Sequence, residues 1–438
     1  MKARVGLPCC GLLLMGSAAL ADPRPPAAMP ETVDTHQQAP AYGITGDWYG
    51  LRTRLHDAGV DMSAGYVGEL GWNFAGGTKR DVTETGQATL GAAIDGERLV
   101  GIAGTFQATV TYRHGEDLGA HAGLGTLQQV QEVYGRGQTF RMTQFWYEQK
   151  FLGDTIAIKA GRATVGEDFA SFSCYFMNLT FCGSQPGNLV GDYWYNWPVD
   201  QWMMRVKLTH GDFVAQIAAY QVNPHNLDKS FLITNFKGGT GVLVPVELGW
   251  MPSIGSKKLI GSYKIGAWYT NANAADVLLD INRQPRPVTG LEPLERTSRY
   301  GFWINAWQQL TGTSLNGKPI SGFGIFANFT QADRKTSVTD SQIAVGLFWK
   351  PPIASLPNDV LAFAVGRTGV NGRYRAGERL DPAHPEPQTA EYAAELYYSA
   401  HPFRWCELRP NVQYIHNPGG RRSADDIGVL GLKAGFTL

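Results

Sequence analysis

The chain has 438 residues, with 38 basic and 38 acidic side chains, and is 17% charged against roughly 25% in soluble domains. Glycine is frequent at 53 residues, and aromatic residues reach 11%, including 12 Trp. This balance excludes a disordered chain and a basic nucleic-acid binder. A helical membrane protein is excluded as well, because beyond the N-terminus no apolar run approaches about 18 residues.

Lys2 and Arg4 precede an apolar stretch from Val5 to Leu20, and Ala19-Leu20-Ala21 forms an A-x-A site before Asp22. That pattern predicts a signal peptide over residues 1–21. Cleavage after Ala21 leaves 417 residues of net charge −2 and delivers them to an oxidising compartment. Residues 22–45 form a Pro-rich, apolar-poor leader, read as an extended periplasmic tether. Residues 46–62 hold a short helix, with Asp47 as cap, Trp48, Leu51, Leu55 and Ala58 at helical spacing, and Gly59 as stop.

After Gly59 the period changes from 3.6 to 2 and stays there to the C-terminus. Between 64 and 74, for example, Ala64, Tyr66, Gly68, Leu70, Trp72 and Phe74 alternate with Gly65, Val67, Glu69, Gly71 and Asn73. Sixteen such segments are predicted, the first eight near 63–74, 86–94, 100–113, 142–151, 154–162, 201–209, 212–221 and 243–251. The others lie near 260–270, 300–310, 321–330, 341–350, 358–367, 389–400, 405–416 and 427–438. Most have the 9–11 residues that a tilted strand needs to cross a bilayer.

A soluble sandwich also alternates, so the connections decide. The odd-numbered ones average 21 residues and the even-numbered ones between 5 and 6. Long loops at one rim and short turns at the other predict an all-β fold over residues 63–438. It is a transmembrane antiparallel up-and-down β-barrel of about sixteen strands with long extracellular loops. The last strand, alternating through Leu430, Leu432, Ala434, Phe436 and Leu438, resembles the signal read by the barrel-assembly machinery.

No catalytic constellation, metal-ligand spacing or phosphate loop is present, so no enzyme, metal or cofactor is expected. A barrel-borne enzyme remains the remote alternative. Cys174 and Cys182, in the third loop, are close enough to bridge; two free thiols are the alternative. A loop of that size would contribute roughly 2.5 kcal/mol in the chain-entropy model. The same loop carries Phe169, Phe172, Tyr175, Phe176, Phe181, Tyr193, Trp194, Tyr195 and Trp197. Either it packs on itself as a cap or it folds into the lumen and offers rings to the apolar faces of sugars. Trp197 and Trp202 read as girdle residues at the membrane edge.

If the apolar face meets lipid, the opposite face turns Glu69, Gln107, Arg113, Gln144, Glu148, Lys159, Gln216, Lys264, Arg409 and Gln413 inward. A lumen of both charge signs suits neutral polar solutes better than anions. Glu148 and Lys159 are the nearest candidate ion pair, and Arg162 follows Ile158 and Ala160 on the apolar face. Arg162 therefore reaches the pore only if the strand ends there. The candidate solute-binding set is Arg113, Glu148, Lys159, Arg162, Lys264, Trp268, Arg409, Gln413 and Trp194.

Five blocks complete the reading. Gly46-Asp47-Trp48-Tyr49-Gly50-Leu51-Arg52-Thr53-Arg54-Leu55 is the first, and Lys159-Ala160-Gly161-Arg162 with Asp168-Phe169 the second. Phe176-Met177-Asn178-Leu179-Thr180-Phe181-Cys182-Gly183 and Pro245-Val246-Glu247-Leu248-Gly249-Trp250 follow. The last is Arg409-Pro410-Asn411-Val412-Gln413-Tyr414-Ile415 with Asn417-Pro418-Gly419-Gly420. In order and spacing these resemble the carbohydrate-selective porins of the OprB type, with Tyr49 where Gly is common and no terminal Phe. The resemblance implies a bacterial outer-membrane barrel of sixteen strands whose third loop narrows the channel. It implies passive diffusion of glucose-like monosaccharides and related polyols; a porin for ions or organic acids is the alternative. Small sugars, outer-membrane lipid and lipopolysaccharide are the expected partners, as a monomer or a trimer.

Overall fold

The computed structural model describes residues 43–231, 237–315, 317–382 and 386–438. The signal peptide and nearly all of the leader lie outside the described residues. Sixteen long strands form the wall. The first four are β1 (Val60–Ala75), β2 (Val82–Asp95), β3 (Gly104–Gly115) and β4 (Phe140–Phe151). Then come β5 (Ile156–Ala163), β6 (Gln201–His210), β7 (Phe213–Val222) and β8 (Gly241–Trp250). They continue with β9 (Leu259–Thr270), β10 (Arg299–Gln309), β11 (Gly322–Ala332) and β12 (Thr339–Lys350). The last are β13 (Val360–Val370), β14 (Ala390–Phe403), β15 (Cys406–His416) and β16 (Ile427–Thr437).

Each strand pairs antiparallel with its sequence neighbour, and β16 returns to β1, from Gly65 opposite Thr437 to Ala75 opposite Gly428. Closure leaves no unpaired edge, the condition for β structure in lipid. All sixteen expected segments are strands. The observed strands β1, β2, β11 and β12 run longer than expected, so the connections 76–81 and 333–338 are short, although both are odd-numbered. The third expected strand begins four residues late, at Gly104, because Asp95 accepts the N–H groups of Glu97 and Arg98 and starts the short helix Gly96–Val100.

Alternation sorts the wall as expected. On β1, Leu70, Trp72 and Phe74 are exposed on the outer face, while Glu69 and Asn73 are buried on the inner one. Aromatic pairs ring the outer surface at both ends. Tyr112 stacks on Phe140 at the end bearing the long loops; at the short-turn end Phe213, Trp250 and Tyr263 stack in series, and Phe323 stacks on Trp349. Such belts mark the two interfaces of a bilayer.

A helix, Leu51–Asp57, lies against the short-turn end. Its N-cap is Gly50 rather than Asp47, whose carboxylate reaches further in and accepts the N–H of Thr53 at 2.9 Å. Ile44 N–H bonds Thr437 O at 3.0 Å and ties this segment to the last strand.

Candidate functional site

The third loop, residues 164–200, leaves β5 and turns into the barrel rather than capping it. Phe172, Tyr175, Phe176 and Phe181 pack against Phe326, Phe348 and Tyr397 on the inner faces of β11, β12 and β14. Burying such rings contributes about 1.5–3 kcal/mol each, enough to hold the loop inside the lumen rather than above it. The wall makes room with glycine: a Cβ at Gly366 would sit 2.5 Å from Thr180 Cγ2, and one at Gly431 2.7 Å from Met177 Cε. Cys174 and Cys182 are disulfide-bonded.

Wall carboxylates hold the inserted backbone. Glu395 accepts the N–H groups of Met177 and Asn178, each at 2.8 Å. Glu391 accepts those of Leu127 and Gln128 in the second loop and of Gly419 in the last one. Glu69 takes Val133 N–H at 3.1 Å, and Glu247 takes Ala170 N–H at 2.9 Å. A loop crossing a lumen has backbone donors with no sheet partner, and an unsatisfied buried donor costs about 1–3 kcal/mol.

Where the third loop leaves the wall, charges meet in a row. Glu148, Lys159 and Arg205 are register partners across β4, β5 and β6. The expected Glu148–Lys159 pair nevertheless does not form. Glu167 and Asp168 come down from the loop and take the Lys159 ammonium at 2.7 and 3.1 Å, while Arg205 bridges Asp168 and Glu148. Burial pushes the Asp168 carboxyl up, but Arg205 and Lys159 outweigh it and hold the group below the ordinary carboxylate range. The Lys159 ammonium also lies 4.2 Å from the ring centroid of Trp146. Each charge has partners of opposite sign, which offsets the cost of burying it.

Residues 79–438 match the family model described as carbohydrate-selective porin, OprB family. The chain belongs to this family. It is 41% identical over 410 residues to Porin B of Pseudomonas aeruginosa, spanning 89% of this chain and 90% of that protein. A putative porin, QuiX, of Acinetobacter baylyi is 34% identical over 423 residues, covering 89% of this chain and 91% of its own. The high-pH structure of Pseudomonas putida OprB superimposes with a TM-score of 0.87 at 38% identity, over 92% of this chain and 99% of that one. The protein is thus a carbohydrate-selective channel of the bacterial outer membrane, not an enzyme.

In this porin most of the expected solute-binding residues hold loops instead. Trp194 is fully buried, edge-on to Trp268 and Trp303 with centroids 5.4 Å from each, and Trp268 donates to the Tyr193 hydroxyl at 2.8 Å. Neither Trp194 nor Trp268 has a ring face left for a sugar. Arg409 is buried between the Glu407 carboxylate and Tyr175 O, at 2.7 Å from each. Gln413 joins two loops, accepting from Asn178 Nδ2 and donating to Val130 O, both at 2.9 Å. Arg113, also buried, donates to Gln87 at 2.8 Å and to Gly135 O.

Arg162 turns inward although β5 continues to Ala163, because Gly161 adopts φ +136°, which breaks the alternation. Its guanidinium meets two loop residues, Asp200 at 2.7 Å and Asn226 at 3.0 Å. Trp197 corrects the girdle reading: its Nε1–H bonds the inner-face residue Gln87 at 3.0 Å, inside the barrel. Of the expected set only Glu148 and Lys264 stay half-buried on the inner face. Gln87, Thr89 and Lys207 share that condition, and Glu167 and Trp197 of the third loop are half-buried as well. Glu167 lies in a loop without periodicity, so no local pattern points to it, whereas Trp197 belongs to the aromatic run of the third loop and Lys207 shares its strand face with Arg205.

Proposed function

We propose that this porin passes glucose-sized monosaccharides and related polyols by passive, sugar-selective diffusion. One observation carries the reading: a half-buried aromatic ring, Trp197, sits against inner-face Gln87 on the polar side of a lumen whose other side is filled by the third loop. Rings stack on the C–H faces of pyranoses, while amide, hydroxyl and carboxylate groups bond their hydroxyls. Gln87, Thr89 and Glu148 supply such groups. No energy source enters: contacts are weak enough to release what they admit. Outer-membrane lipid and lipopolysaccharide would surround the aromatic belts. The test is swelling of liposomes containing the porin, with a panel of sugars and amino acids of matched size. Faster swelling with glucose than with a matched amino acid is expected, and equal rates would overturn sugar selectivity.

A further inference from the structure

Below the ion-paired row, towards the short-turn end, the balance of charge changes. The next inward position on β6 is Lys207, opposite Ala157 on β5 and Gln216 on β7, neither of which is charged. Among the described residues Lys207 has no hydrogen-bond or ion-pair partner. One row further down, Lys264 on β9 donates to Ser171, to its carbonyl at 3.1 Å and its hydroxyl at 2.7 Å, and among the described residues it has no acidic partner. Other inward lysines are neutralised: Lys159 by Glu167 and Asp168, and Lys433 by Glu132 at 2.6 Å.

Glu247 shares the row of Lys207 but does not cancel it. Its carboxylate is buried and engaged by Ala170 N–H, Trp303 Nε1–H and Gln216 Nε2–H at 2.9–3.0 Å. Lys207, in contrast, keeps solvent exposure on the inner face. A partly buried ammonium on the inner face of a channel with low-dielectric walls raises the local concentration of anions. Being unpaired, it can exchange one anion for the next, as conduction requires.

We propose that Lys207 and Lys264 form a carboxylate-attracting stretch, through which the channel admits sugar acids, polyhydroxylated monocarboxylates of glucose size, in addition to neutral sugars. The hydroxyls of such a solute meet the same polar path, and its carboxylate meets the lysines. This deepens the sugar-channel reading and rests on it for the path.

The test uses the whole porin reconstituted in liposomes, with gluconate and glucose as probes, for the parent, Lys207→Met, Lys207→Glu and Lys207→Arg. One unit charge a few ångströms from the solute, in water-like surroundings, corresponds to about a fivefold change. The gluconate-to-glucose flux ratio is expected to fall about fivefold in Lys207→Met, to fall further in Lys207→Glu, and to stay at the parental value in Lys207→Arg. The zero-current potential in a potassium gluconate gradient should move towards that of potassium in the same order. A ratio unchanged in Lys207→Glu, or lowered equally in Lys207→Arg, overturns the proposal. The sugar reading fails separately, if glucose and a matched amino acid enter the parent at equal rates.

Discussion

Glu395 on the wall and Asn178 in the third loop, 217 residues apart in sequence, are joined by a backbone N–H to carboxylate hydrogen bond of 2.8 Å. The second carboxylate oxygen holds Met177 in the same way. One side chain thus fixes two consecutive peptide units inside the lumen and sets how far the loop intrudes.

Replacing Glu395 by Gln keeps the volume but turns an NH2 group towards a backbone donor. The loop should lose about 1–3 kcal/mol of anchorage, while the closed strand ladder stays intact. Single-channel recordings should become noisier, and disaccharides should enter liposomes faster relative to glucose. Traces and ratios matching the parent would show that the clamp does not set the constriction.

The Cys174–Cys182 bridge shortens the excursions of the same loop. Changing both residues to Ser should increase conductance fluctuations without lowering the barrel's melting temperature, because the strand pairing does not depend on the bridge. A large drop in melting temperature would instead make the bridge part of the barrel's own stability.

At the long-loop end, Asp276 joins two loops. It accepts from Arg296 of its own loop at 2.6 Å and from Arg373 of the loop following β13 at 2.9 Å, with the N–H groups of Leu278 and Leu279 on the same carboxylate. Burial pushes its pKa up, but the two N–H groups and the two guanidiniums prevail and hold it below the ordinary carboxylate value. A depressed carboxyl contributes stability that is fully present above its unfolded value, near 3.9, and is lost as pH falls through the lower folded one. Proteolysis of the 271–298 loop should therefore stay slow down to about pH 4 and accelerate below it. In Asp276→Asn it should be faster at neutral pH and nearly independent of pH; a parental profile in that variant would remove Asp276 as the latch.

Topology gives a fourth test. Val288 lies exposed in the loop between β9 and β10, and Ser256 lies exposed in the turn between β8 and β9. With the long loops facing outward, Val288→Cys should react with an impermeant thiol reagent on intact cells, and Ser256→Cys only after the outer membrane is broken. Inverted labelling would reverse the orientation.

The wall was legible in the sequence because its code is local. A period of two, with Leu70, Trp72 and Phe74 on one face and Glu69 and Asn73 on the other, fixes strand, facing and environment within a few residues. Strand ends were less legible, since they depend on single capping groups such as Asp95. The family blocks also carried Cys182 and the Asp168-Phe169 step that the structure brings to the lumen.

What only the tertiary structure decided is what each inward side chain does. Alternation says that Arg409, Gln413 and Trp268 point inward, but not that an inserted loop would cover them. Register places Glu148 opposite Lys159, but the partners actually present come from Glu167, Asp168 and Arg205. Hydrogen bonding and desolvation act through space between groups as far apart in sequence as Asn178 and Glu395, and no sequence period records them. The sequence alone therefore determined a sixteen-stranded barrel with a polar interior, and the folding of the third loop into that interior decided which polar groups are left to meet a solute.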